Sequence, residues 1–306
     1  MARGRVRRPG ARRRYTILGV LLAAALVAAG GLLWLNLGGN PFTELGADFA
    51  GGDVLEVLFL DVGQGDAAIV TCGGRSMLID AGGRSSEKTV LEAIEARGVT
   101  RFDIIVGTHP HEDHIGGLAG VLRTYGTDTL IMPRVETTTK TFENLLDAIE
   151  EVGLRVTTPR AGDVYDLGGA EVTILAPAGE EYKALNNHSI VLRITFEGRS
   201  LIFAGDAEGV SENEMLASRY DLSAEVLKLA HHGSRSSTAQ AFLDAVRPRY
   251  AVIFCGAGNS YGHPHDETLE KLGALAVTVY RTDIHGSITA AVTKNGITFR
   301  TERTGT

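Results

Sequence analysis

The chain has 306 residues, of which 44% are hydrophobic and 22% charged, and its formal net charge is −7. Its eight prolines, two cysteines and high apolar content exclude a disordered chain, a collagen-like repeat and a disulfide scaffold. The charge is uneven: residues 1–14 contain seven arginines and no acid, which leaves 23 basic against 37 acidic side chains and a charge of −14 for the remainder. We therefore treat residues 1–14 as a separate basic segment.

An apolar run occupies residues 15–37, with Tyr15 and Trp34 near its ends. It meets the roughly 20 residues that a helix needs to cross a bilayer, and the preceding arginines predict a cytoplasmic N-terminus. We therefore predict a single-pass anchor in the cell membrane at 15–37, followed by a Gly-rich linker at 38–53. A signal peptide cleaved near Ala29 is the alternative. Either interpretation places residues 54–306, which we predict to be one domain, outside the cytoplasm.

From residue 54 onward, β-branched runs alternate with helical patterns, which indicates an α/β domain with mixed sheets. Strands are predicted at 54–62, 66–72, 75–80, 102–107, 129–132, 170–175, 189–196, 199–204, 224–229, 249–255, 276–280 and 286–292. Helices are predicted at 86–97, 115–123, 138–152, 208–217, 238–246 and 266–273. Cys72 and Cys255 lie in separate apolar runs, and we expect two buried free thiols, although an extracellular location would permit a disulfide.

The densest chemical signal is THPHEDHIGG, which follows an apolar strand and contains His109, His111, Asp113 and His114. Imidazole and carboxylate groups are ligands for zinc, manganese and iron. In this spacing His109 and His111 could bind one ion, while Asp113 and His114 bind a second about 3.5–4 Å away. A solvated polar loop is the alternative, but so many ligand-type residues between a strand and two glycines favour a metal site.

Further segments also end apolar strands with ligand-type side chains, which suggests that strand ends converge on one edge of the domain. These segments are SMLIDAGG, SLIFAGDAEG, EVLKLAHHGS and AVIFCGAGNSYGHPH, and they supply Asp80, Asp206, His231, His232, His263 and His265. Each residue alone would be an ordinary turn or helix cap. Together they repeat the design that a dinuclear metal site requires.

The motifs HxHxDH, the upstream Asp80 and the GD turn at Asp206 resemble the metallo-β-lactamase superfamily. More narrowly, FLDVGQGDAAIV, NNHSIVLRI, LKLAHHGS and NSYGHPH resemble the hydrolase domain of the ComEC competence proteins of DNA-uptake channels. The resemblance runs from about residue 58 to residue 286. It implies an αββα sandwich of two mixed sheets flanked by helices, here preceded by the one predicted transmembrane helix. Because a single apolar segment stands where that family has many membrane helices, only the hydrolase chemistry is expected to carry over.

The resemblance assigns roles by matched position. It implies that His109 and His111 bind the first metal, Asp113 and His114 the second, that Asp206 bridges them, and that His263 completes the second site. It implies that Asp80 orients a ligand, and that His231 or His232 binds metal or phosphate. The family's third histidine for the first metal has no clear match in LNNHS, so His188, Asn187 and His231 all stay open.

For four further residues the sequence leaves two roles open. His265 could face substrate or cap the helix that begins at Asp266, and Ser234 and Arg235 could bind phosphate oxygens or simply begin a helix. His285 is expected at the surface or behind the ligands.

The predicted cofactors are two divalent ions, zinc or manganese, which would generate a metal-bound hydroxide. Asp113 would orient this nucleophile, and a histidine, His232 in our assignment, would protonate the leaving oxygen. We therefore expect an exported, membrane-tethered phosphodiesterase or nuclease, with DNA among its candidate substrates, although the acidic body lacks a broad nucleic-acid footprint. The alternatives are a hydrolase of phosphorylcholine esters, lactones or thioesters, and a non-catalytic metal-binding module in DNA uptake. The sequence leaves any protein partner unknown.

Overall fold

The computed structural model describes residues 54–305. The predicted basic segment at 1–14, the anchor or signal peptide at 15–37 and the linker at 38–53 lie outside the described residues and stay predictions. Within the described part of the chain, none of the helices has the length and apolar character required to span a membrane.

Fifteen strands and eight helices form the described domain. The strands are β1 Leu55–Phe59, β2 Ala67–Cys72, β3 Arg75–Ala81, β4 Phe102–Val106, β5 Thr127–Ile131, β6 Val156–Thr157, β7 Val164–Leu167, β8 Ala170–Ala176, β9 Val191–Phe196, β10 Arg199–Phe203, β11 Val226–Lys228, β12 Tyr250–Ile253, β13 Thr278–Arg281, β14 Ile288–Thr293 and β15 Gly296–Thr301. The helices are α1 Glu87–Ala96, α2 Glu112–Ile115, α3 Leu118–Thr124, α4 Lys140–Glu151, α5 Gly209–Ala217, α6 Gln240–Val246, α7 Asp266–Ala274 and α8 Thr282–His285. Short 3₁₀ turns occupy Arg84–Ser86, Leu185–His188 and Ala230–Gly233.

The strands form two mixed sheets. The first has the order β15-β14-β1-β2-β3-β4-β5-β6, and its strands β3 to β6 run parallel. The second has the order β13-β12-β11-β10-β9-β8-β7, and its strands β10 to β13 run parallel, with Leu201 opposite Val226. Antiparallel hairpins complete both sheets, so the expected mixed-sheet α/β architecture is confirmed.

The two sheets pack face to face, and helices cover their outer faces. Along β1, Val57 and Phe59 point into the core between the sheets, whereas Leu58 joins the core beneath the helices. This alternation follows from the two-residue repeat of a strand. Between the sheets the rings of Phe59 and Phe203 stack with centroids 5.6 Å apart. A third core packs α5, α6 and α7 against the second sheet, which gives the expected αββα layers.

All twelve predicted strands and the six predicted helices are present, with ends shifted by a few residues. Four elements were not predicted. They are the strands β6, β7 and β15, which are two to six residues long and, apart from Leu167, exposed or half-buried, and the four-residue helix α8. The single helix predicted at 115–123 was wrong in one respect, because the structure divides it into α2 and α3. The break lies at Gly116–Gly117, where the amide of Gly117 donates to the carbonyl of Gly82 instead of continuing the helix. Cys72 and Cys255 are buried free thiols, as predicted.

Candidate metal centre

The candidate site lies where the carboxyl ends of parallel strands from both sheets meet. His109 follows β4 of the first sheet, and Asp206 follows β10 of the second. His109 Nε2 lies 3.7 Å from Asp206 Oδ2. The site therefore draws its side chains from both halves of the sandwich.

Asp80, near the end of β3, fixes the orientation of the residues after β4. Its carboxylate accepts hydrogen bonds from the Thr108 amide and hydroxyl at 2.8 and 2.7 Å, and its Oδ2 lies 2.8 Å from His114 Nδ1. Burial raises the pKa of Asp80. Because the carboxylate holds Nδ1 of His114, the Nε2 of that ring is left to face the site, an arrangement typical of metal-ligating histidines.

One group of side chains that could hold an ion consists of His109, His111 and Asp206. Nε2 of His109 lies 2.8 Å from Nδ1 of His111, and both nitrogens face the same space. Burial lowers the pKa of His109 well below its ordinary value and also lowers that of His111. Both rings are therefore neutral near pH 7 and can offer lone pairs to a metal.

A second group consists of Asp66, His114 and His232. Asp66 also contacts the ammonium of Lys228, a fully buried lysine whose Nζ donates to the Gly205 carbonyl at 2.9 Å. Burial alone would raise the pKa of Asp66, but Lys228 and His114 lower it overall. Since a cation already pairs with Asp66, this carboxylate supports the site. His114 remains available as a metal ligand, and His232 is the member of the group that can instead hold a proton.

His232 faces the carboxylates of the site. Its Nε2 lies 3.1 Å from Asp113 Oδ2 and 3.7 Å from Asp206 Oδ2, and its Nδ1 lies 3.1 Å from the Phe254 carbonyl. Burial alone would lower the pKa of His232, but Asp206, Asp113 and Asp66 raise it to about 9. In the metal-free chain this ring therefore carries a proton near neutral pH.

His231 lies beside the first group. Its Nε2 is 4.0 Å from Asp206 Oδ2, and its Nδ1 is 3.2 Å from Glu208 Oε1 and 3.4 Å from Asn186 Nδ2. A carboxylate on one nitrogen of a histidine directs the other nitrogen toward a metal. Of the three residues left open for the first metal, the structure brings His231 to this group.

A cavity of about 430 Å³ opens above both groups, and its wall includes Asp113, His231, His263 and Tyr261. The His263 ring stacks on Tyr261 and His232 with centroids 5.6 and 5.9 Å apart. Burial and the neighbouring His232 lower the pKa of His263 to about 4. This neutral histidine and an exposed aromatic ring thus form one side of the cavity.

The other predicted residues lie outside this cavity. His188 Nε2 is 3.4 Å from the Tyr182 carbonyl, and His265 Nδ1 accepts a hydrogen bond from the Arg235 amide at 3.2 Å. The hydroxyl of Ser234 lies 3.0 Å from the hydroxyl of Ser236. The side chain of Asn187 accepts hydrogen bonds from two amides at the start of α5. The ring of His285 accepts a hydrogen bond from the Arg281 amide. The structure does not bring any of these side chains into the two ligand groups.

Three residues of the site went unassigned in the sequence analysis: Asp66, Lys228 and Glu208. Asp66 is the second acid of the DVGQGD motif, and Lys228 is a single charge inside the apolar run VLKLA. A lysine within a buried strand requires a partner, so Lys228 could have indicated a buried carboxylate close to this strand. Glu208 carried no such signal, because its role depends on the position of His231.

The donor set fits divalent metal ions. The buried side-chain atoms of residues 54–305 that have no hydrogen-bond partner include four at this site: Asp66 Oδ1, His114 Nε2, Asp206 Oδ1 and His263 Nδ1. Burial lowers the pKa of His114, but Asp206, Asp66 and Asp80 raise it well above its ordinary value. A concentration of buried carboxylates that keeps neighbouring histidines protonated calls for cations. Nitrogen and carboxylate donors together suit zinc, manganese or iron, so the site implies the use of divalent metal.

Comparison with known proteins identifies the family. Residues 60–257 match the family described as "Metallo-beta-lactamase superfamily". The chain is 32% identical over 252 residues to ComE operon protein 3 of Bacillus subtilis, covering 76% of this chain and 32% of that protein. It is 28% identical over 248 residues to Competence protein ComA of Neisseria gonorrhoeae, covering 78% and 32%. The chain thus spans about a third of the length of these curated relatives.

Among solved structures, the chain resembles Igni18, described as a novel metallo hydrolase from Ignicoccus hospitalis. The TM-score is 0.53 at 20% identity, and the superposition covers 76% of this chain and 98% of Igni18. At this level of identity the likeness concerns the fold.

Proposed function

The chain belongs to the metallo-β-lactamase superfamily, and from that membership we propose that it is a phosphodiesterase dependent on two divalent ions, with nucleic acid strands as its substrate class. The observation that carries the proposal is the pair of neighbouring ligand groups, one with Asp206 and one with His232, beside a cavity that is also lined by Asp113. The motif resemblance to competence proteins is confirmed by the curated relatives.

When bound, two divalent ions, zinc or manganese, would lower the pKa of water and offset the negative charge that develops on the substrate. The chain's own residues supply the rest. Asp113 can accept a hydrogen bond from the attacking water and orient it. His232 lies 3.1 Å from Asp113 and can give a proton to the leaving oxygen.

Two considerations support a phosphodiester over the other ester substrates. One relative is named a competence protein, and the motifs resemble a family of DNA-uptake proteins. The exposed ring of Tyr261, stacked on His263, lines the cavity and offers a surface on which a base can stack. The other candidates, including hydrolysis of phosphorylcholine esters, lactones or thioesters and a non-catalytic module, become outcomes of the experiment below.

We also propose that the domain acts outside the cytoplasm, held at the cell membrane by the apolar run at 15–37. The proposal rests on the seven arginines that precede this run. Protease treatment of intact spheroplasts should remove the domain. Without protease, the full-length chain should be recovered in the membrane fraction. Full protection from protease, or recovery in the soluble fraction, would contradict this topology.

The function is tested by hydrolysis of bis-p-nitrophenyl phosphate and of a fluorescent single-stranded oligonucleotide by the full-length chain. We expect activity with Mn²⁺ or Zn²⁺ and none after chelation. Asp113→Asn should lower kcat by roughly 10²–10⁴-fold, the usual effect of losing an acid–base group. Asp147→Asn, on the exposed face of α4, is the matched control and should leave kcat unchanged.

Hydrolysis of the dye but not of the oligonucleotide would contradict a nucleic acid substrate. Absence of hydrolysis with either metal would overturn the enzymatic proposal and favour a metal-binding module. Equal activity of Asp113→Asn and the control would remove Asp113 from the mechanism.

A further inference from the structure

A second cavity, of about 890 Å³, lies on the same edge of the domain as the candidate metal centre, and Arg134, Arg160, His188 and Tyr220 are among its lining residues. We propose that this cavity binds a phosphate group of the substrate strand beyond the phosphodiester held at the metal centre. The inference rests on the proposed function, because it extends the substrate site from one phosphodiester to a strand.

The topology places this cavity next to the metal centre. Arg134 follows β5 and Arg160 follows β6, the next two parallel strands after β4, whose carboxyl end supplies the HxHxDH motif. At the usual strand spacing of just under 5 Å, two strands correspond to about 10 Å along the edge. A nucleic acid substrate that extends from the metal centre in this direction therefore reaches the cavity directly.

One short segment, residues 186–189, contacts both sites. Asn186 approaches His231 of the metal centre at 3.4 Å, and the Ser189 hydroxyl accepts from the Asp206 amide at 3.0 Å. His188, between them in the chain, lines the second cavity instead. The segment 186–189 therefore contacts residues of the metal centre through Asn186 and Ser189 and lines the second cavity through His188, which makes the two sites neighbours.

The charges in the second cavity favour an anion. Within residues 54–305, neither Arg134 nor Arg160 has a carboxylate within ion-pair distance of its guanidinium, whereas Arg123 and Arg199 are each paired with a carboxylate. The lining contains one acid, Glu180. Two unpaired guanidinium groups in one cavity are notable in a domain that is acidic overall.

The ligand class follows from guanidinium chemistry. A guanidinium group presents donors in a planar fork that matches the oxygens of a phosphate, and it keeps its charge at any working pH. Because the domain as a whole repels polyanions at long range, a strand needs local contacts of this kind. Two arginines one step along the edge from the metal centre supply them.

The test compares two double variants of the full-length chain, each of which removes two positive charges. Arg134→Gln/Arg160→Gln alters the cavity, and Arg247→Gln/Arg249→Gln, next to the amino end of β12 on the opposite edge, is the matched control. Binding of a short fluorescent single-stranded oligonucleotide is measured by anisotropy at several salt concentrations. Hydrolysis of bis-p-nitrophenyl phosphate, which is too small to reach the cavity, is measured in parallel.

We expect the cavity variant to bind the oligonucleotide about tenfold more weakly. The slope of log K against log salt should fall by about 0.7 for each phosphate that an arginine no longer neutralises. Hydrolysis of bis-p-nitrophenyl phosphate should be unchanged, and the control should match the wild type in both assays.

Oligonucleotide binding by the cavity variant equal to that of the control would overturn the inference. Weakened binding of anionic lipid vesicles with unchanged oligonucleotide binding would assign the cavity to lipid headgroups and would also overturn it. If the wild type hydrolyses no phosphodiester, the proposed function fails, while the binding comparison still decides whether the cavity holds a nucleic acid phosphate.

Discussion

Lys228 is the most consequential single residue beneath the metal centre. It is fully buried, its ammonium contacts Asp66, and it donates to the Gly205 carbonyl. Lys228→Met keeps the shape of the side chain but leaves the Asp66 carboxylate without its cation. Removing one partner of a buried pair costs roughly 3–5 kcal/mol, and we expect that loss in the free energy of unfolding measured with urea.

Two further variants sharpen this prediction. Lys88→Met removes an exposed lysine that pairs with Glu92, and it should change stability by less than about 1 kcal/mol. Lys228→Met/Asp66→Leu removes both charges and should recover much of the loss. If the single Lys228 variant is as stable as the Lys88 variant, Asp66 does not depend on Lys228.

The two cysteines should be chemically silent in the folded chain. Cys72 and Cys255 are 2% and 0% exposed, and burial raises the pKa of Cys255 to about 12. Because the thiolate is the reactive species, Ellman's reagent at about pH 8 should label neither thiol until denaturant is added, and both afterwards. Labelling of only one thiol per chain in denaturant, or of none, would indicate a disulfide or another modification.

At the scale of elements, Asn187 joins the 3₁₀ turn before β9 to the start of α5. Its Oδ1 accepts hydrogen bonds from the amides of Glu208 and Ser211, at 3.3 and 3.1 Å. These amides have no partner within the helix, so the side chain acts as a cap supplied from a distance. Asn187→Ala should therefore lower the free energy of unfolding by about 1–2 kcal/mol.

Glu208 also contacts His231, so the same variant should disturb the first ligand group. We expect a weaker affinity for the first metal equivalent in calorimetry, together with the loss of stability. Asn144→Ala, at a half-buried position of α4, is the control. It should leave the stability nearly unchanged, because alanine favours a helix. An unchanged unfolding curve for Asn187→Ala would show that water caps α5 equally well.

The elements differed in how far the sequence could predict them. Runs such as β3, β4 and β10 have buried apolar residues on both faces and clear ends, so their positions were predictable. The strand β6 has only two residues, and its extended conformation depends on its pairing with β5. The ends of α2 and α3 depend on a hydrogen bond to Gly82, which no local pattern encodes.

The same division applies to the site. His109, His111, Asp113 and His114 lie within six residues, so their shared chemistry was visible in the sequence. Asp66 acquires its role only from Lys228, and Glu208 only from the orientation of His231. Such partners are set by tertiary packing rather than by local spacing, so the motif was predictable from the sequence and its supporting residues were not.

For the whole molecule, a rise in pH should lower the stability of the metal-free chain and should increase the stability that bound metal adds. The pKa of His232, raised to about 9 in the folded state, exceeds its ordinary value of about 6.5. In the metal-free chain this group therefore contributes stability that is complete below about pH 6.5 and is lost as the pH rises through about 9. A metal ion bound by His114, whose pKa is also raised, must displace the proton of that ring, so the stability that metal adds should grow as the pH rises.

Thermal unfolding of chelated and metal-loaded chain at about pH 6 and pH 8.5 tests this linkage. With the free metal concentration fixed at 100 times the Kd measured at about pH 6, one site should add about 2.7 kcal/mol at that pH and more at about pH 8.5, where Kd is lower. The difference in Tm between the two forms should be larger at the higher pH. A difference that shrinks with rising pH would contradict the assignment of protonated histidines to the metal centre.

The placement of the ligands on both sheets has a consequence for how the domain folds. His232 and Asp113, 3.1 Å apart, are separated by 119 positions in the chain. Contacts of such high sequence separation form late, after the cost of closing a long loop has been met. The metal centre is therefore assembled only when the two sheets have docked, and a bound ion can serve as a reporter for completion of the fold.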